Sequence, residues 1–135
     1  MRARRVLVDS AVFLYAIGTD HELKPACRRV LADTDLELCA STELVQEVVF
    51  HRMRMGDRAA AVATARQVGR ACRLYPFDQH VLDLALTLIE RQGVGGRDAV
   101  HAATALLHGI PEIVSPDSDF DGIEGLMRLD PRELA

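Results

Sequence analysis

The sequence predicts an α/β domain built on a parallel sheet, and three observations carry that expectation. Short apolar runs alternate with longer segments of helical periodicity, the pattern that strand–helix–strand crossovers leave. No linker, repeat or low-complexity stretch divides the chain, so residues 1–135 read as one domain. Acidic residues follow several of the apolar runs, and in open α/β sheets that edge is where ligands bind.

The elements follow in order. Val6-Leu7-Val8 reads as the first strand, with Ser10 as N-cap of a helix over about 11–17. Gly18-Thr19-Asp20 breaks the chain. A helix over about 22–34 then carries Leu23, Ala26, Cys27, Val30 and Leu31 at helical spacing. Leu36 to Ala40 is a second strand, and Ser41 or Thr42 caps a helix over about 43–54. An alanine-rich helix over about 58–72 follows Gly56-Asp57, with Arg66, Arg70 and Arg73 along one side. Leu74-Tyr75-Pro76-Phe77 is strand-like, and Asp78 caps a helix running to about 90. Gly93, Gly95 and Gly96 form a turn before a helix over about 97–108, which Gly109 terminates. Ile113-Val114 and Met127-Arg128-Leu129 supply the last strands.

Composition narrows the class. An apolar fraction of 49% and a charged fraction of 27% are ordinary for a soluble globular protein. No apolar stretch approaches the ~20 residues that span a bilayer. The basic start Met1-Arg2-Ala3-Arg4-Arg5 leads into an apolar run that stops at Asp9, too short for the core of a signal peptide, so a cytoplasmic protein is expected. Cys27, Cys39 and Cys72 are odd in number and form no C-x-x-C pair, which favours buried, reduced thiols over zinc or disulfides. The net charge of −4 argues weakly against an unassisted nucleic-acid binder. The basic residues are nearly all Arg, however, with Lys24 the only lysine, and the guanidinium fork suits phosphate.

Asp9 closes the first apolar run, Asp117 and Asp119 follow Ile113-Val114, and Glu47 and Asp98 lie near helix starts. Taken singly, each is an ordinary N-cap or surface charge, and Asp98 sits where a helix dipole favours an acid anyway. Together they would repel one another unless a cation lay between them. Such a set points to a hard divalent cation, and so to phosphate chemistry.

The motifs also resemble a known family. Val-Leu-Val-Asp9-Ser10-Ala-Val-Phe-Leu is similar to the opening motif of PIN-domain ribonucleases. Ser41-Thr-Glu-Leu-Val-Gln-Glu47 resembles the family's Ser or Thr followed six residues later by a glutamate, Arg97-Asp98-Ala-Val-His-Ala-Ala its third acidic motif, and Ser115-Pro-Asp117-Ser-Asp119-Phe120 its last. Their order spans nearly the whole chain, and the length matches the VapC toxins of bacterial toxin–antitoxin pairs. The resemblance implies a three-layer α/β/α fold with a short central parallel sheet, and a Mg²⁺- or Mn²⁺-dependent endoribonuclease acting on cellular RNA. It further implies a small VapB-like antitoxin as partner, and a homodimer. Asp9, Glu47, Asp98 and Asp117 would form the acidic cluster. Asp9 and Asp98 are then the principal metal ligands, Asp117 reaches the metal directly or through water, Glu47 orients or deprotonates the attacking water, and Asp119 is a fifth candidate.

Alternatives stand beside several residues. Glu43 lies one turn before Glu47 on the same face, although the spacing from Ser41 favours Glu47. Position 11 is Ala where the family often has a small polar residue, leaving Ser10 and Ser115 to orient carboxylates. His101 shares the face of Asp98 and is either an ordinary, partly buried histidine or a group that contacts RNA or supports a carboxylate. Arg52, Arg54, Arg58, Arg66, Arg70 and Arg73 form either a rim for an RNA backbone or solvated, partly paired helix faces. The lack of Trp gives little basis for a base-stacking platform. Leu44, Val45, Val48, Val49 and Met53 belong to the core or to a groove for an antitoxin helix or strand. The competing function classes are a Mg²⁺-dependent phosphatase or phosphoacceptor domain, which usually has a second acid beside or two residues after the first strand-end Asp, where this chain has Ser10 and Ala11, and a PIN-like interaction module without activity.

Overall fold

The computed structural model describes residues 3–134; Met1 and Arg2 of the basic start lie outside the described residues. Five strands, β1 (Arg4–Val8), β2 (Leu36–Ser41), β3 (Arg73–Tyr75), β4 (Glu112–Val114) and β5 (Met127–Leu129), form one sheet in the order β3-β2-β1-β4-β5. Every pairing is parallel. Six helices connect them: α1 (Ser10–Ile17), α2 (Lys24–Ala32), α3 (Thr42–Met55), α4 (Arg58–Ala71), α5 (Gln79–Gln92) and α6 (Gly96–Leu107).

Strand periodicity divides the core into two halves. Leu7, Cys39 and Ile113 point to one face and pack with Val81, Ala85 and Leu88 of α5 and the alanines of α6. Val6, Val8, Leu38, Ala40 and Val114 point to the other, against Val12 and Phe13 of α1, Val30 of α2, Leu44 and Val48 of α3 and Val68 of α4. This is the expected three-layer α/β/α arrangement. Every residue from Ala99 to Ala105 is buried, so α6 runs inside the domain rather than over its surface.

The strand order reverses between β1 and β4. From β1 the chain moves outward to β2 and β3, whereas β4 leads to β5 on the other side. A crevice opens at the carboxyl ends of the strands flanking such a point. Asp9 follows β1 there and Ser115 follows β4.

Several local expectations need correction. Ser10 is the first residue of α1 rather than its cap. Asp9 occupies the cap position without a capping bond from its side chain, because both groups are engaged with other side chains. Ser41, not Thr42, caps α3, while the Thr42 hydroxyl accepts from the Phe77 amide. The third strand ends at Tyr75, two residues before the expected boundary, and Arg73 lies on it rather than on α4. Leu44 and Val48 are fully buried core residues; the exposed apolar side chains of α3 are Phe50, Met53 and Met55. Cys27 and Cys39 are buried thiols, but Cys72 is only half-buried. Asp78 caps α5 as expected, and Gly109 adopts the left-handed φ of 66° just past α6.

Phe120 anchors the segment after β4. It is fully buried in the α5–α6 half of the core, one residue after Asp119. Phe120→Ala should therefore lower stability by about 3–5 kcal/mol in urea denaturation. A loss below about 1 kcal/mol would show that this side chain does not hold the loop against the core.

Candidate functional site

Acidic side chains from four parts of the fold gather at the sheet's carboxyl edge. Asp9 is 5% exposed and its carboxylate cannot be buried without donors. The Ser115 hydroxyl donates to Asp9 Oδ2 at 2.7 Å and accepts from the Asp117 amide at 3.0 Å. One fully buried serine thus ties the end of β1 to the loop after β4. Burial pushes the Asp9 carboxyl up, opposed by His101 and the Ser115 bond and reinforced by Glu47 and Asp117.

Glu47, in the second turn of α3, has the opposite environment. The Ser10 hydroxyl lies 3.0 Å from its Oε2 and 3.4 Å from Asp9 Oδ1; with one proton to give, it serves Glu47 better. His101 Nε2 lies 2.7 Å from Glu47 Oε1. Burial raises the Glu47 carboxyl, but the His101 bond and charge, the Ser10 bond and the Arg97 charge outweigh it and hold it below its ordinary range. Burial also opposes a charged His101, yet the Glu47 bond and the Glu47, Asp9 and Asp98 charges raise it overall. His101 is fully buried, and its Nδ1 has no partner among the described residues. It supports a carboxylate and cannot touch RNA. Glu43 takes part in neither bond.

Asp98, Asp117 and Asp119 make the third group. Each offers an oxygen within 4.8 Å of the others. The Asp119 amide donates to Asp117 Oδ1 at 2.9 Å, which fixes the loop that carries both. Among the described residues, no Lys or Arg pairs with these acids or with Asp9. Burial first, then the charges of Asp9 and Asp117, push Asp98 up to about 6. Converging carboxylates without a cation are the donor set that a hard divalent ion takes. Asp119 therefore stands closer to the cluster than its marginal place in the sequence suggested. Asp9 lies outside this closest trio.

Of the arginines singled out, Arg73 pairs with Glu37 at 3.8 Å. Arg54 lies over the Phe50 ring, 5.8 Å from its centroid. Arg52, Arg54, Arg58, Arg66 and Arg70 form no ion pair among the described residues, which leaves the α3–α4 side positively charged. Arg97, at the start of α6, faces Glu47 from outside and was singled out only as part of a motif.

Comparison with known proteins gives a consistent picture. A family model described as PIN domain matches residues 6–126. The chain is 32% identical over 132 residues to Ribonuclease VapC7 of Mycobacterium tuberculosis, covering 93% of this chain and 91% of that protein. It is 30% identical over 117 residues to Ribonuclease VapC23 of the same species, covering 83% and 92%. Among solved structures, a toxin–antitoxin complex from Klebsiella pneumoniae superposes with a TM-score of 0.75 at 18% identity, covering 96% of this chain and 99% of that one. VapC20 of M. tuberculosis, described as a Sarcin-Ricin loop cleaving toxin, gives a TM-score of 0.69 at 19% identity over 87% and 91%.

The raised Asp98 carboxyl has a measurable consequence. A carboxyl raised in the folded state adds stability while protonated, and that contribution is lost as pH rises through about 6. The Tm of metal-free protein should fall across that window, and Asp98→Asn should remove this part of the fall. Above pH 6, Mn²⁺ should raise the Tm of the wild-type protein but not of Asp98→Asn. An equal Mn²⁺ response in both proteins would exclude Asp98 as a ligand.

Proposed function

The chain belongs to the PIN-domain family, in its VapC branch, and from that premise we propose that it is a Mg²⁺- or Mn²⁺-dependent endoribonuclease, the toxin of a toxin–antitoxin pair. The observation that carries this reading is the convergence of Asp98, Asp117 and Asp119 within 4.8 Å, with no Lys or Arg paired to them among the described residues. Asp9 stands beside them on its serine support, close enough for its charge to act on Asp98. Asp9, Asp98 and Asp117 are the proposed metal ligands, with Asp119 in reach of the same ion. A divalent cation held there would lower the pKa of a bound water and offset charge developing on the scissile phosphate.

The chain's own residues supply the rest. Glu47 is held below its ordinary range between the Ser10 hydroxyl and His101 Nε2, so its role is to orient the attacking water by accepting a hydrogen bond from it. His101 and Ser10 fix the direction from which Glu47 accepts. Ser115 fixes Asp9 and, through the Asp117 amide, the loop that carries Asp117. The phosphoacceptor alternative gains nothing from this site, because Ser10 is bonded to Glu47 and position 11 is Ala. An inactive module would have little reason to keep five acids at one edge.

A small VapB-like antitoxin is the proposed regulator. Ribonuclease VapC7 and VapC23 carry the toxin family's name. A groove of about 530 Å³ between α1 and α3, lined by Leu14, Tyr15, Ile17, His51, Arg52 and Met55, is the proposed seat. A homodimer is supported by the exposed stripe Leu82, Leu86 and Ile89 on α5. No helix among the described residues is long and apolar enough to cross a membrane, and RNA as substrate is consistent with the cytoplasm.

Two measurements test this function. Purified protein should cleave structured RNA with Mg²⁺ or Mn²⁺ and not with EDTA, and Asp98→Asn and Glu47→Gln should each slow cleavage by about 10²–10⁴-fold. His101→Leu should approach the Glu47→Gln rate, whereas His101→Gln, with a donor near the same place, should recover part of it. Cleavage that persists in EDTA would sink the metal mechanism. In light scattering, Leu86→Glu should convert a dimer to a monomer; an unchanged mass would remove α5 as the interface.

A further inference from the structure

Beside the acidic cluster, on the outer side of α3, lies a second concavity of about 150 Å³ lined by Glu43, Gln46, Glu47, Phe50 and Arg97. Positions 43, 46, 47 and 50 follow helical spacing, so one stripe of α3 forms a wall and Arg97 of α6 faces it. Glu47 belongs to both this groove and the reaction centre.

The lining combines features that recognise an unstacked base. Phe50 is 52% exposed, an unfavourable place for a large apolar ring without a partner. Arg54 lies over the ring, 5.8 Å from its centroid, and the same ring lines the groove. Gln46 and Glu43 offer hydrogen-bonding groups beside it, and Arg97 supplies positive charge for a neighbouring phosphate. Single-stranded RNA is read by this combination of an aromatic face and edge-on polar contacts.

We propose that this groove is a nucleobase subsite that seats the base flanking the scissile phosphate and selects guanine. The selection follows from donor geometry. A carboxylate presents two neighbouring acceptor oxygens, and among the four RNA bases only guanine presents two adjacent donors, N1–H and N2–H, on one edge. Glu43 takes that edge, Phe50 takes the face, and Gln46 serves the remaining polar atom. The occupant is RNA because the groove is continuous with the proposed phosphodiester site, on which this inference rests. It explains why a second glutamate lies one turn before Glu47 without joining Ser10 and His101.

The test has two arms. In the first, cleaved ends from a random-sequence RNA pool with Mg²⁺ are mapped for wild-type, Glu43→Gln, Phe50→Leu and Phe50→Tyr proteins, each with its Tm measured. Wild-type ends should be enriched in guanine at one position beside the cut. Glu43→Gln and Phe50→Leu should reduce that enrichment by about tenfold, while Phe50→Tyr keeps it. In the second arm, guanosine, adenosine, cytidine and uridine monophosphates are titrated into labelled wild-type protein and read by amide chemical shifts. Guanosine monophosphate should perturb residues 43–50 most. Cleavage whose base preference is the same in all four proteins would overturn the subsite and spare the nuclease. A guanine response at residues 43–50 without any RNA cleavage would overturn the nuclease and with it the placement of this base beside a scissile phosphate, leaving only a guanine pocket. A response at these residues to an arginine-rich peptide but to no nucleotide would assign the groove to a protein partner and overturn the proposal.

Discussion

The site depends on keeping a carboxylate buried where the sheet reverses its strand order. Asp9 lies there because β1 is the central strand, flanked by β2 and β4, and its carboxyl end opens onto the crevice. An unpaired charge in that position would cost several kcal/mol. Ser115 lowers the cost with one short hydrogen bond, and the same hydroxyl orders the Asp117 amide. The geometry after β4 is thus coupled to the charge after β1. Phe120 closes the arrangement from below, pinning the far end of the loop in the core.

A second coupling crosses the sheet. Glu47 belongs to the helical layer on one face and His101 to the layer on the other, and they meet at 2.7 Å beyond the strand ends. Such a meeting needs α6 close to the sheet, which its alanines at 99, 102, 103 and 105 permit. The outcome is two kinds of acid at one edge of the sheet. Glu47 has donors on both oxygens and is held ionised. Asp98 has carboxylate neighbours and no Lys or Arg partner among the described residues, so burial and repulsion outweigh the opposing His101 charge and push it up to about 6. Environments this different suit the different roles proposed for the two acids.

The fold class and most element positions were legible because alternation, caps and glycine stops are local signals. Asp78 capping α5 and Gly109 closing α6 are such cases. The acids were legible through their order along the chain. The partners of those acids were only partly legible. Ser10 and Ser115 were named as candidates for orienting carboxylates, but which carboxylate each serves depends on packing between strands 106 residues apart. His101 looked like an ordinary histidine because its partner lies 54 residues away on another helix. Arg97 and Phe50 were missed as neighbours of the site for the same reason. Leu44 and Val48 read equally as core or as groove and proved to be core, because a helix that both packs on a sheet and borders a crevice carries apolar residues on more than one side, and periodicity alone does not rank those sides.

Net charge is the remaining puzzle for a protein that must approach a polyanion. The chain carries −4 overall, which in a uniform distribution would repel RNA. The distribution is not uniform. Asp98, Asp117 and Asp119 concentrate negative charge in one small volume, which a divalent cation bound there would offset. The arginines of α3 and α4 stand apart from them and form no ion pair among the described residues. On the proposed reading, binding a cation would do two things at once: complete the reaction centre and remove the local repulsion that keeps a phosphate away. Without it the same edge would repel RNA. Such an arrangement would make substrate approach and catalytic competence depend on one event, and would reconcile an acidic chain with a nucleic-acid function.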